Sequence, residues 1–323
     1  MKTFSPIFFG SIPKGEYNLT VCVREWGKSM VITIVVVLTL SSVGLFGLLL
    51  RGAKRQGVAI IDHSFGWGLG IGALTDFLDT LGIGSFVTST AIFQASHYLK
   101  DERRLPGTLN TMHAIPTAFE ALFFVTTVKV EAWTLISLVL AATIGALLGS
   151  EVMTKLNQRR IQLIMAAALV VTAVLMTAKL LGWINLLGAA NQATALRGGP
   201  LVIGIVGNFI LGLLMAAGVG LYAPCMVMVY FLGLTPIAAF PIMMLSCALL
   251  MPTSAVNFIR HDRVDYRGLF GIILGGILGV IVAATLVKSL SLTALSWLIV
   301  IVSLWTASSL WRAAVRSRKK SLM

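Results

Sequence analysis

The sequence predicts an all-α, polytopic membrane protein with two inverted-topology repeats, each opening with a glycine-broken helical hairpin. Three observations predict this fold. First, 57% of the 323 residues are hydrophobic and only 11% are charged, and long apolar runs recur along the chain. About 20 such residues span the ~30 Å hydrocarbon core of a bilayer, where only helices and closed barrels satisfy the backbone. Second, two broken apolar segments match at a fixed shift. Third, the loops of the two halves carry opposite charge patterns.

The apolar stretches define the elements in order. An N-terminal segment, 1–29, precedes an extra transmembrane helix at 30–50. The first repeat covers 58–184, the second covers 201–311, and a basic tail follows at 312–323. Within this frame the predicted apolar segments are 30–50, 58–78, 85–99, 108–128, 132–150, 161–184, 201–217, 221–234, 242–259, 268–287 and 291–311.

A duplication relates the two repeats. Three pairs match at one shift of 136 residues: Gly82-Ile83-Gly84 with Gly218-Val219-Gly220, Phe86 with Tyr222, and Pro116-Thr117 with Pro252-Thr253. Single identities between apolar sequences carry little weight, because glycine and leucine recur by chance. Their common shift, together with matching hydropathy, indicates an internal repeat.

Loop charges indicate that the repeats have opposite orientation. The loops 51–57, 100–106, 151–160 and 260–267, with the segment 312–320, carry 17 of the 25 Lys and Arg residues. The opposite loops, 129–131, 185–200, 232–241 and 288–296, carry three. Because cytoplasmic loops are enriched in Lys and Arg, we expect the first group and the C-terminus to be cytoplasmic. Inverted repeats of this kind are common in secondary transporters. We expect the bacterial plasma membrane as the location.

The net charge of +13 is explained by these loops, so it does not indicate a nucleic-acid partner. The sequence contains no HExxH or GxSxG motif, and its His, Cys and Asp residues show no metal-ligand spacing. We therefore expect no enzymatic activity, no metal and no cofactor. The expected partners are a small anionic substrate and the lipid bilayer.

The two broken segments resemble those of the TauE/SafE family of membrane permeases. The resemblance rests on "GIGALTDFLDTLGIGSFVTSTAIF" (70–93), on "GNFILGLLMAAGVGLYAPCMVMVYFLG" (207–233), and on the "IPTA" and "MPTS" helices that follow. It implies transport of small sulfur-containing anions such as sulfite, sulfoacetate or other organosulfonates. The second motif departs from the family pattern, because Leu221 and Tyr222 stand where glycine is usual.

The two glycine breaks are the predicted substrate site. A helix that starts at a break presents free backbone N–H groups and the positive end of its dipole, and two such starts facing one cavity would bind an anion. Glycines also serve close helix packing, which is our interpretation of Gly145, Gly149, Gly275 and Gly279. The candidate substrate-binding residues are Gly82, Gly84, Ser85, Thr88, Ser89, Gly218, Gly220, Tyr222, Cys225 and Asn257. For Asn257, an interhelical hydrogen bond is an equal alternative, and Cys225 is also typical of a small buried apolar residue.

Ionisable residues near the first break are the candidate ion- or proton-coupling groups: Asp76, Asp79, Glu120 and His113. Carboxylates within the membrane usually serve function, since a lone charge there is costly. Asp79 has a second interpretation as a local cap on the break, and His113 has one as a packed, hydrogen-bonded histidine. An exporter of a sulfur-containing anion, with proton coupling, fits these features. A proton- or sodium-coupled carrier of a cation or neutral solute, and a passive anion channel, are the alternatives.

Overall fold

The computed structural model describes residues 19–81, 84–127, 130–183, 191–218, 220–235, 238–286 and 292–320. Within these ranges the chain is helical, and its β pairing is limited to an isolated bridge between Ala193 and Leu234. The helices are α1 (Leu19–Arg55), α2 (Phe65–Thr80), α3 (Ser85–Ala95), α4 (Leu105–Met112), α5 (Ala114–Thr127), α6 (Ala132–Lys155), α7 (Gln158–Leu180), α8 (Gly198–Ala216), α9 (Tyr222–Phe231), α10 (Ala239–Arg260), α11 (Leu269–Leu286) and α12 (Leu292–Lys320). A single 3₁₀ turn, Glu102–Arg104, precedes α4.

Five helical segments are long and apolar enough to cross a membrane: Val31–Arg55, Ala132–Lys155, Gln158–Ala178, Gly198–Ala216 and Ala239–Arg260. A shorter apolar helix covers Leu269–Thr285. Many large apolar side chains point outward, as Leu40 and Val43 of α1 do with 67% and 65% exposure. An apolar exterior on apolar helices is suited to lipid, which confirms the prediction of a helical, multi-pass membrane protein.

Several predicted segments form shorter helices than expected. The segment predicted at 58–78 becomes helical only at Phe65, where the Asp62 carboxylate accepts a hydrogen bond from the Ser64 amide. The apolar segment expected over 108–128 contains parts of two helices, because α4 ends at Met112 and α5 begins after His113. The helices α2, α3 and α9 contain 16, 11 and 10 residues. Each is shorter than the roughly 20 residues that a full crossing needs.

Glycines allow close helix contacts in the described part of the chain. A Cβ atom on Gly72 of α2 would lie 1.9 Å from the Ile272 carbonyl oxygen of α11, and one on Gly275 would lie 2.0 Å from the Leu69 carbonyl oxygen. Helices α6 and α8 pack in the same way, since a Cβ on Gly145 would lie 2.0 Å from the Phe209 carbonyl oxygen. The packing interpretation of the predicted glycine pairs is confirmed, with Gly149 and Gly279 in equivalent contacts.

The connections gather into two groups at opposite ends of α6 and α10. At one end, Arg55 pairs with Asp262 at 3.4 Å, and the Arg263 guanidinium donates to the Thr154 carbonyl at 2.8 Å. Arg104 donates there to the Val264 carbonyl at 3.2 Å. Four Lys- and Arg-rich loops thus meet on one face of the molecule.

At the other end, the Glu131 amide donates to the Thr194 carbonyl at 2.9 Å, and the Thr235 amide donates to the Ala193 carbonyl at 2.8 Å. The sequence assigned these loops to the side opposite the basic ones. The described connections therefore group as their charge pattern predicts.

The glycine contact between α2 and α11 is testable by a matched pair of substitutions. We expect Gly72→Leu to destabilise the protein by at least 1–3 kcal/mol, because its side chain would collide with the backbone of α11. Gly70→Leu is the control on the same helix, since a Cβ there meets no atom within 4 Å. The apparent melting temperature in detergent measures both. Equal melting temperatures for the two variants would contradict the close contact.

Candidate functional site

Both sequence breaks occur where one helix ends and a short helix begins. Helix α2 ends at Thr80 and α3 begins at Ser85, after Gly84 with a φ of +94°. In the second half, α8 ends at Ala216, Gly218 has a φ of +92°, and α9 begins at Tyr222. Glycine adopts such positive φ angles without strain. The predicted site residue Gly82 lies outside the described residues.

The starts of α3 and α9 line one small, partly open cavity. From the first break, Gly84 and Ser85 line the cavity, and from the second, Gly220 and Leu221 do so. The other lining residues are Asp79, Phe86, Thr117, Met215, Met243, Met244, Cys247 and Met251. The first four N–H groups of a helix lack partners within that helix, and they carry the positive end of its dipole. The cavity wall therefore includes two helix N-termini.

Thr117 contributes a hydroxyl that has no partner among the described residues. The residue is 1% exposed and lines the cavity, and its Oγ1 makes no hydrogen bond. A buried hydroxyl without a partner costs about 1–3 kcal/mol. A ligand that accepted a hydrogen bond from this hydroxyl would recover part of that energy. The residue at the matching position of the second half, Thr253, instead donates to the Leu249 carbonyl at 2.8 Å.

Asp79 joins the end of α2 to the start of α3. Its Oδ2 accepts a hydrogen bond from the Ser85 hydroxyl at 2.5 Å, and both residues line the cavity. The carboxyl group thus holds the break together and also borders the space where a ligand would sit. The geometry therefore accommodates both interpretations made from the sequence, the local cap and the coupling group.

A buried chain of three side chains lies beside the cavity. His113 Nδ1 lies 2.7 Å from Asp76 Oδ1, and its Nε2 lies 2.8 Å from the Ser89 hydroxyl. All three side chains are fully buried. A neutral imidazole can donate a hydrogen bond to the carboxylate from one nitrogen and accept a hydrogen bond from the serine hydroxyl at the other. The break between α4 and α5 places His113 so that it connects α2 with α3.

Glu120 is linked to the same helix by Thr80. The Thr80 hydroxyl lies 2.8 Å from Glu120 Oε1 and 2.8 Å from the Asp76 carbonyl oxygen. The second carboxyl oxygens, Asp76 Oδ2 and Glu120 Oε2, are buried without a hydrogen-bond partner. The structure therefore brings the four predicted coupling residues together at α2. Asp76 and Asp79 lie on this helix, His113 contacts Asp76, and Glu120 is linked through Thr80.

The remaining predicted substrate residues are placed differently. Thr88 bonds to the Gly84 and Ser85 carbonyls, and the Asn257 amide donates to Leu147 O and Ser150 Oγ of α6 at 3.1 and 2.9 Å. Neither residue lines the cavity. Gly218 packs against Met165, and Cys225 is fully buried outside the lining. Tyr222 begins α9, and its side chain lies outside the described part of the structure.

Sequence reasoning missed two contributions to the cavity. The first is Thr117, although the match of "IPTA" with "MPTS" marked its position. The second is the wall from α8 and α10, which includes Met215, Met243, Met244 and Cys247. Methionine is too common in apolar helices for the pattern "MMLSCALLM" to indicate a site. Among the described residues, no three His, Cys, Asp or Glu side chains group as potential metal ligands.

A multi-pass helical protein whose broken helices start at a shared internal cavity has the features of a membrane transporter. The chain belongs to the sulfite exporter TauE/SafE family, whose model matches residues 9–176 and 201–322. This match confirms the resemblance carried by the two broken segments. The family is one of transporters, which agrees with the apolar, multi-pass fold. Comparisons with curated proteins and with solved structures gave no match.

The Asp76–His113 contact is testable by a double-mutant cycle. Removing one partner of a buried hydrogen bond leaves the other unsatisfied at a cost of about 1–3 kcal/mol, so Asp76→Ala and His113→Ala should be strongly non-additive. The exposed Asp101–Arg103 pair is the control, with an expected coupling of about 0.2–1 kcal/mol. Unfolding in detergent measures each variant. Additive effects at Asp76 and His113 would show that the contact carries no stabilisation.

Proposed function

We propose that the chain is a secondary transporter that exports a small sulfur-containing anion, such as sulfite or an organosulfonate. The anion binds in the cavity where α3 and α9 begin. One observation carries this proposal: two helix N-termini and the unpartnered Thr117 hydroxyl face the same buried space. Membership of the sulfite exporter family supports the substrate class.

The cavity suits an anion that must also be released. Each helix N-terminus contributes about 0.3–2 kcal/mol to anion binding, and the Thr117 hydroxyl supplies a further donor. The Ser85 hydroxyl becomes free to donate to the anion when Asp79 carries a proton and donates to Ser85 instead. Among the described lining residues there is no Lys or Arg. Dipoles and hydroxyls without a fixed cation hold an anion moderately, as transport requires.

In this proposal, Asp79 couples anion transport to protons. An anion about 4 Å from a charged carboxylate is repelled by about 4 kcal/mol at an effective dielectric constant of 20. A proton on Asp79 removes this repulsion, so the anion and the proton bind together. Asp76 on α2, together with His113 and Glu120 beside that helix, offers further proton acceptors, and a proton on Asp76 or Glu120 would remove a buried charge.

The helix pairs support two halves related by an approximate two-fold axis. At the shift of 136 residues, α2 corresponds to α8 and α6 corresponds to α11. Contacts respect this relation, because α2 packs on α11 while α8 packs on α6. Helices α7 and α12, which correspond to each other, are also in contact. In our proposal the halves are inverted and move against each other to expose the cavity alternately to each side.

The basic loops and the C-terminus face the cytoplasm in this proposal, and the protein lies in the bacterial plasma membrane. The gathering of the Arg-rich loops 51–57, 100–106, 151–160 and 260–267 at one end of α6 supports this orientation.

Asp79 also favours a second candidate function, a carrier that binds a cation directly at the carboxylate. A passive anion channel is a third. Proteoliposomes with imposed pH and voltage gradients separate the three. An exporter predicts saturable sulfite, sulfoacetate or thiosulfate flux with counterflow. Anion flux without counterflow would support a channel, and no anion flux or competition would refute the anion hypothesis.

Thr117 provides a substitution test with a natural control. We expect Thr117→Val to weaken anion binding about 5- to 50-fold, because the anion loses one hydrogen-bond donor in a buried site. Thr253→Val, at the matching position of the second half, should leave affinity unchanged, since its hydroxyl serves the Leu249 carbonyl. Concentration dependence of uptake measures both variants. Equal affinity in the two would exclude Thr117 from the site.

Asp79→Asn tests the coupling. The amide keeps an oxygen that accepts from Ser85 but carries no charge, so anion uptake should continue without accompanying proton flux. In the unsubstituted protein, anion affinity should fall as pH rises and Asp79 loses its proton, whereas the variant should show a flat profile. Asp101→Asn, in an exposed loop, is the control. A pH dependence that survives Asp79→Asn would assign the coupling to another group.

A further inference from the structure

The cavity has two chemically different ends, one from each half of the chain. At the first break, Asp79 and Ser85 supply polar atoms. The shift of 136 residues places Met215 and Leu221 at the corresponding positions of the second break, and both also line the cavity. The duplication has therefore kept the glycines and changed the side chains around one of them.

Sulfur atoms dominate the second end. Of the lining residues, Met215, Met243, Met244, Cys247 and Met251 carry sulfur, and each is at most 8% exposed. The Cys247 thiol lies 3.6 Å from the Met215 sulfur. Thioethers are apolar but highly polarisable, and they adapt their shape to a neighbour. We call these five residues the sulfur wall.

We propose that the sulfur wall makes the site selective for weakly hydrated, polarisable monoanions, whether or not they are sulfur oxyanions. This inference rests on the proposed function for the position of the anion. An anion that enters the cavity loses its water shell. The polar side chains that replace this water are two hydroxyls and one carboxyl group, and the described lining residues include no cation.

Hydration then decides which anions bind. The Born cost of leaving water grows with the square of the charge, so sulfate, hydrogen phosphate and the sulfite dianion lose far more than a monoanion such as hydrogen sulfite. A polarisable atom gains dispersion energy against methionine sulfur. Thiocyanate has one charge and a polarisable sulfur atom, and it lacks the shape of a sulfur oxyanion. It is therefore the discriminating probe.

The test is competition in proteoliposomes that contain the full chain, with the membrane potential clamped by potassium and valinomycin. Thiocyanate should inhibit sulfite counterflow at a concentration at least 10-fold lower than sulfate does. Protein-free liposomes correct for thiocyanate leak. Equal inhibition by the two anions, or stronger inhibition by sulfate, overturns the selectivity while sulfite counterflow itself upholds the proposed function.

Two substitutions assign the selectivity to the sulfur wall. Met244→Ser should reduce the preference for thiocyanate over sulfate at least 5-fold, and the milder Met244→Leu should reduce it about 2-fold by removing sulfur while keeping apolar volume. Met153→Ser is the control, because Met153 is buried in α6 outside the cavity. The assignment is overturned if Met244→Leu, which is expected to fold, keeps the preference unchanged while Met153→Ser loses it. Thiocyanate counterflow without any sulfite flux would refute the proposed substrate and uphold the selectivity.

Discussion

The structure depends on one constraint: backbone groups exposed by a broken helix need partners where lipid supplies none. The chain breaks its helices before Ser85 and before Tyr222, and both breaks lie inside the protein at a shared cavity. Hydrogen bonds from neighbouring elements support the first break, including the one from Ser85 to Asp79. In our proposal, free N–H groups that lipid would penalise bind a polar ligand.

Close packing around the short helices follows from the same constraint. Helices of 10 to 16 residues are marginally stable on their own, so they gain their stability from neighbouring helices. The glycines of α2 and α11 bring two backbones into contact, as Gly145 does for α6 and α8. The polar chain from Asp76 through His113 to Ser89 then ties α2 and α3 to the α4–α5 break. The proposed binding and coupling groups thus share one support.

The sequence predicted the helical membrane fold and the family, because hydropathy and the two glycine motifs are local signals. The sequence also predicted that the two breaks lie close together, because their common shift identifies them as equivalent positions of a repeat. The cavity is indeed lined from both breaks, by Asp79, Gly84, Ser85 and Gly220. The sequence did not predict the break at His113, because hydropathy alone does not distinguish a continuous helix from an interrupted one. The sulfur wall was also missed: which face of α10 meets the cavity depends on tertiary packing.

The most direct measurement of the central claim is the position of a bound anion in the full chain. Selenite is a heavy analogue of sulfite, and its selenium can be located by anomalous diffraction from crystals of the protein. Our account predicts selenium between the starts of α3 and α9, with a selenite oxygen within hydrogen-bond distance of the Thr117 hydroxyl. Selenium bound elsewhere in the protein, with this cavity empty at saturating selenite, would contradict it.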